Sequence, residues 1–146
     1  MKSEPVPEDD GRALKTLVGS NFRETVDPDN REYLILFYIP TNSKCQALRP
    51  IFESVAESIS HNPNIVMAEF DRSKNDVAGL IVEEFPKLVW FGKDKSVPHL
   101  EFDGVDNTKG IIKYMRANTE YRWLEPQPKE QYKKKAEKKS EVSDEL

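Results

Sequence analysis

Tyr33-Leu34-Ile35-Leu36-Phe37-Tyr38-Ile39-Pro40-Thr41-Asn42-Ser43-Lys44-Cys45-Gln46-Ala47-Leu48-Arg49-Pro50 contains the change of period on which the fold turns. Tyr33–Ile39 is a continuous apolar run, short and β-prone, which predicts a strand buried on both faces. Pro40 ends it. Asn42 and Ser43 can accept the orphan backbone N–H groups of a following helix. From there Ala47, Leu48, Ile51, Phe52, Val55, Ala56 and Ile59 follow i, i+3, i+4 spacing, the pattern of a helix with one apolar face. Pro50 falls inside that helix, where it removes one backbone donor and predicts a kink.

Outward from this strand–helix unit the periodicities keep switching. Leu14–Val18 reads as a strand, with Ser20 or Asn21 placed to cap a brief helix over Phe22–Val26. Asp27–Asn30 is a turn, as is Asn62-Pro63-Asn64, and Ile65–Phe70 is a second buried strand. Asp76 is placed to cap a short helix over Val77–Val82. Phe85-Pro86 introduces a strand over Lys87–Phe91, and Gly92–Ser96 is a charged turn before an edge strand over His99–Phe102. Gly104–Asn107 leads to a last helix that buries Ile111, Ile112 and Met115. The order β-α-β-α-β-α-β-β-α is an α/β plan with a crossover half and a hairpin half.

Composition narrows the chemistry. The chain has 146 residues, a mass of 16.9 kDa, 37% hydrophobic and 33% charged residues and a mean hydropathy of −0.71. A net charge of −4 argues against a nucleic-acid surface. With Cys45 the single cysteine and His61 and His99 far apart, there is no internal disulfide and no Cys/His zinc cluster. No apolar run approaches the roughly 20 residues that span a bilayer. No metal and no cofactor are implied. Trp90 and Phe91 read as strand core, Trp123 as a covering residue, and the two histidines as surface residues. Residues 1–13 carry Pro5, Pro7 and Gly11 among acids, the composition of an extended, solvated linker. From Lys129 the tail holds six lysines and five acids in 18 residues, with no apolar stripe to dock; Lys133-Lys134-Lys135 reads as part of this solvated tail.

Phe37-Tyr38-Ile39-Pro40-Thr41-Asn42-Ser43-Lys44-Cys45 and Leu48-Arg49-Pro50 resemble the active-site segment F-Y-A-P-W-C-G-H-C-K-x-L-x-P of thioredoxin-like domains in the protein disulfide isomerase family. Ile65–Asp71, Asn75-Asp76-Val77, Phe85-Pro86 and Phe102-Asp103-Gly104 are similar to that family's second half. The resemblance covers roughly residues 14 to 122. It implies an α/β thioredoxin fold, a central mixed β-sheet flanked by α-helices, with Pro86 as the family's cis-proline facing the active-site loop. The departures are informative. Asn42 stands where the family has its attacking cysteine, and an amide cannot form a mixed disulfide. Thr41 replaces the tryptophan, and Lys44 takes the basic place between the two cysteines. Cys45 matches the second, resolving cysteine. Leu36 replaces a buried glutamate that accepts that thiol's proton, and Asp106 falls near a mobile arginine, a reversal of charge.

Three functions follow from this pattern. In the first, the domain binds unfolded or disulfide-containing client proteins without dithiol catalysis, using Ile39, Phe85 and Pro86 beside the degenerate loop Thr41-Asn42-Ser43-Lys44. In the second, Cys45 works alone as a monothiol oxidoreductase or isomerase, and an outside reductant must resolve its mixed disulfides. In the third, the domain is a structural or dimerising spacer. Cys45 itself reads either as a buried, inert side chain or as a reactive thiol helped by the helix N-terminus and Lys44. Ser143-Asp144-Glu145-Leu146 resembles the K-D-E-L retrieval signal, which implies the endoplasmic-reticulum lumen and a retrieval receptor as partner. The chain then reads as the C-terminal piece of a longer protein: residues 1–13 an interdomain linker, 14–124 the thioredoxin-like domain, 125–146 a charged tail. Other domains of the parent chain join the expected partners, which include no nucleic acid and no membrane.

Overall fold

The computed structural model describes residues 1–130. In chain order its elements are β1 (Leu14–Thr16), α1 (Phe22–Val26), β2 (Glu32–Tyr38), α2 (Ser43–Ser58), β3 (Ile65–Asp71), β4 (Lys87–Phe91), β5 (Leu100–Glu101) and α3 (Thr108–Asn118). The sheet runs β1-β3-β2-β4-β5, with β1, β3 and β2 parallel and β4 and β5 antiparallel to their neighbours. This is the mixed sheet of the thioredoxin fold.

β2 lacks hydrophobic alternation because it is the middle strand. It pairs with β3 on one side and β4 on the other, and every one of its residues is buried. Tyr33, Ile35 and Phe37 point to one face, joined by Ala68, Phe70, Val89 and Phe91 and covered by Phe22 and Val26 of α1. There the Phe22 ring meets Phe37, Phe70 and Phe91 at centroid distances of 6.0, 5.5 and 5.8 Å. Leu34, Leu36 and Tyr38 point to the other face, under Cys45, Leu48, Phe52 and Val55 of α2 and Ile111 and Met115 of α3.

Helical spacing sets which residues of α2 enter the core. Cys45, Leu48, Phe52, Val55 and Ala56 are buried along one face. Ala47 and Pro50 lie on the outer face and are exposed, so Ala47 is not a core residue as its spacing suggested, and α2 runs on through Pro50. In α3, Ile111 and Met115 are buried and Ile112 is half-buried. Neither histidine is a plain surface residue. His61 Nε2–H donates to the Glu125 carbonyl at 2.7 Å, and the His99 ring lies 5.3 Å from that of Phe91. Trp90 and Phe91 are core, and Trp123 packs against the α2 face.

No helix forms over Val77–Val82. Its apolar side chains are used differently: Val77, Leu80 and Val82 are buried from a loop, on the α1 face. Gly79 takes a positive φ of 75° there, outside the right-handed helical region, and so breaks the window between Val77 and Leu80. Asp76 does not cap a helix; its backbone N–H donates to the Lys2 carbonyl at 2.7 Å. At α1, Asn21 stands at the N-cap position, yet its side chain accepts from the Val18 N–H instead of from the helix.

Candidate functional site

The loop between β2 and α2 is closed by its own backbone and by Asn42. The Asn42 N–H donates to the Ile39 carbonyl at 3.1 Å, and the Gln46 side-chain amide donates to the Pro40 carbonyl at 2.8 Å. Asn42 is extended, at φ −82° and ψ 126°, and its Oδ1 accepts the Cys45 N–H at 3.0 Å. That satisfies one of the helix's orphan donors. Thr41, Ser43 and Lys44 are exposed, and Asn42 and Ile39 are half-buried. Cys45 is a free cysteine, fully enclosed at 0% exposure among Leu48, Tyr38 and their neighbours. A nucleophilic thiol needs access as well as ionisation, and this one lacks access.

The Phe85–Pro86 peptide is cis. Pro86 and Leu48, one helical turn beyond Cys45, line a single groove of about 370 Å³ with Glu84, Lys87, Leu88, Glu101, Phe102, Gly104 and Asp106. Lys87 Nζ lies 3.2 Å from a Glu101 carboxylate oxygen, so this pair is neutralised. Phe85 is half-buried and packs against both core clusters. The structure thus brings Pro86 and Asp106 to one groove beside the α2 turn that carries Cys45. Among the described residues no His, Cys, Asp and Glu side chains form a group that could hold a metal ion.

One buried charge near the sheet face under α2 has no counterpart in the sequence reading. Leu36, where a proton-accepting glutamate was expected to be lost, pairs in register with Glu69 on β3. Glu69 therefore stands on the same sheet face, and it is buried. Its carboxylate meets the Arg49 guanidinium at 3.3 Å, and that guanidinium lies 4.0 Å from the Tyr38 ring centroid. Burial, and then the Glu69 carboxylate, push the Tyr38 phenol up to about 12. The carboxylate is already committed to Arg49. An acid inside the otherwise apolar run Ile65–Phe70 was the available signal.

Residues 13–117 match the Thioredoxin family profile. The chain belongs to the thioredoxin family. It is 33% identical over 117 residues to protein disulfide-isomerase A3 of Gallus gallus, covering 80% of this chain and 23% of that protein. It is 30% identical over 143 residues to the protein disulfide-isomerase of Drosophila melanogaster, covering 97% of this chain and 29% of the relative. The thioredoxin-family chain thus spans about a quarter of the length of these curated relatives. Its fold is similar to the first thioredoxin domain of mouse protein disulfide-isomerase A4, with a TM-score of 0.65 at 21% identity, over 86% of this chain and 89% of that one. The single cysteine, Cys45, fits a degenerate form of the active-site pattern of protein disulfide isomerase-like domains. Ser143–Leu146, the retrieval-like sequence, lie outside the described residues.

Proposed function

We propose that this domain serves oxidative protein folding by holding client polypeptides, and that it does not catalyse dithiol exchange. The observation that carries the reading is the Asn42–Cys45 pair. An amide capping a helix stands where exchange needs an attacking thiolate, and the one thiol present is sealed in the core. The client surface is Ile39, Phe85 and Pro86, with Thr41, Asn42, Ser43 and Lys44 as its rim. All three are half-buried; Pro86 lines the groove and Phe85 precedes it in the chain, while Ile39 leads from β2 into the degenerate loop. Partners are unfolded or disulfide-containing proteins and the other domains of a longer parent chain. The kinship with protein disulfide-isomerases and the Ser143–Leu146 tail support residence in the endoplasmic-reticulum lumen and capture by a retrieval receptor.

The test has two arms. In an insulin-reduction assay with dithiothreitol, the protein is expected to add no rate above buffer. A fluorescently labelled unfolded peptide is expected to bind, and Ile39→Ser and Phe85→Ala are each expected to weaken it at least threefold. A rate above the blank that is abolished by Cys45→Ala would favour monothiol chemistry instead. Absence of peptide binding would favour the spacer.

A further inference from the structure

The first residues of the chain are not a free linker end. The Lys2 N–H donates to Asp76 Oδ2 at 2.9 Å, and the Asp76 N–H returns to the Lys2 carbonyl at 2.7 Å. Lys2 Nζ donates to the Ser73 carbonyl at 2.8 Å. Ser3 Oγ accepts the Ser20 N–H at 2.9 Å. Glu4 is held twice by Asn75: its N–H donates to Oδ1 at 2.8 Å, and its carboxylate accepts from Nδ2 at 2.9 Å. Each of the three side chains is used, so the socket reads a sequence and does not merely tolerate a backbone.

The socket is built into the domain. Asn75 is fully buried at 0% exposure, and its other bonds accept the Gly19 N–H at 3.0 Å and donate to the Asp71 carbonyl at 3.0 Å. Buried amides of this kind need all their partners, and two of Asn75's come from Glu4. Gly19 has no room for a side chain, since a Cβ there would stand 2.6 Å from the Asp76 carbonyl oxygen and 2.8 Å from that of Lys2. Behind the socket, the Arg72 N–H donates to the Tyr38 carbonyl at 2.9 Å, directly before Ile39 and the candidate site. Farther along, Arg12 meets Glu53 on α2 at 2.6 Å, so residues 5–11 are strung between two anchors. A tethered ligand docks at high effective concentration, which lets few contacts hold it.

We infer that Lys2-Ser3-Glu4 is a docked strap that clamps the loop after β3 and, through Arg72, steadies the end of β2 from which the candidate site begins. It is a folded part of the domain, and Gly19, Ser20, Ser73, Asn75 and Asp76 are its receptor.

Hydrogen exchange on the full chain tests this against two variants, deletion of residues 2–4 and Glu4→Pro, which lacks the N–H that Asn75 accepts. In the deletion, the Ser20 and Asp76 amides should exchange at least tenfold faster and the Arg72 amide severalfold faster. The Val89 and Trp90 amides should keep their protection, which shows the sheet intact. Glu4→Pro should loosen the same amides, to a smaller degree. Ser20 and Asp76 amides that already exchange at unstructured-chain rates in the unaltered protein would show that no strap is docked. Unchanged Arg72 exchange in a deletion variant whose Ser20 and Asp76 amides are freed would overturn the clamp on β2. Should the deletion prevent folding, Glu4→Pro alone decides between these outcomes.

Discussion

Asn42 and Asn107 begin two helices in the same way. Each has an extended backbone, and each side chain accepts the N–H three residues on, from Cys45 at 3.0 Å and from Gly110 at 2.8 Å. What differs is the residue that is capped. Cys45 sends its side chain into the core under α2. Gly110 carries none, because a Cβ there would stand 1.9 Å from the Val105 carbonyl oxygen. A cap by itself therefore marks a helix start and nothing more. The α2 cap becomes functionally interesting only because a buried thiol sits at its third position, where a second thiol in place of Asn42 could meet it.

The largest expected effect breaks the symmetry outright. Asn42→Cys should create a dithiol with Cys45 that reduces insulin at least tenfold faster than the unaltered protein. The two thiols supply two electrons, end as a disulfide, and are regenerated by dithiothreitol. Asn107→Cys should add no rate in the same assay. A silent Asn42→Cys would mean that Cys45 is not poised as a second thiol.

Next comes Gly110→Ala, which forces a methyl against a backbone carbonyl and should lower stability by about 1–3 kcal/mol in urea unfolding. The caps themselves should be equivalent: Asn42→Ala and Asn107→Ala each cost ~1 kcal/mol, seen as a fall in Tm of about 4 °C, and serine at either position should restore most of it. Loss of the Asn42 cap alone at more than twice that figure would show that Asn42 supports the site beyond capping.

The smallest effect concerns Tyr38, beside Cys45. Its phenol is pushed up to about 12 by burial and then by Glu69, above its ordinary value of 10.0. A folded-state value above the unfolded one favours the protonated form in the fold. Its contribution is complete below about pH 10 and is lost as pH rises toward 12. Tyr38→Phe should flatten that part of the alkaline stability profile, as measured by urea midpoints between pH 9 and 11. An unchanged profile would remove Tyr38 from the account.

Much of this was legible because local pattern and final environment agree. β2 was readable from Tyr33–Ile39, since an apolar run this short, rich in aromatic and β-branched residues and ended by Pro40, fits a strand covered on both faces. Asn42 was readable as a cap, because capping depends on residues three apart in the chain. Where pattern and environment disagree, the reading failed. Val77–Val82 has helix-like apolar spacing, but its side chains fill the α1-side core from a loop. β2 begins at Glu32, one residue before the apolar run, although an acid at a strand end usually lies outside the strand. Glu32 is buried there because the Thr119 hydroxyl and the Glu120 N–H arrive from the end of α3 to satisfy its carboxylate.

The sequence by itself determined the strand–helix unit, the order of the sheet-forming segments, the thioredoxin-family kinship and the presence of a single cysteine, Cys45. These rest on periodicity and on residue identity, which are properties of the chain alone. Only the tertiary structure decided that Cys45 is sealed, that Glu69 is spent on Arg49, and that Glu4 is held by Asn75. Each of those joins residues far apart in sequence, and a buried polar group finds its partner only when the fold has brought that partner within hydrogen-bonding distance.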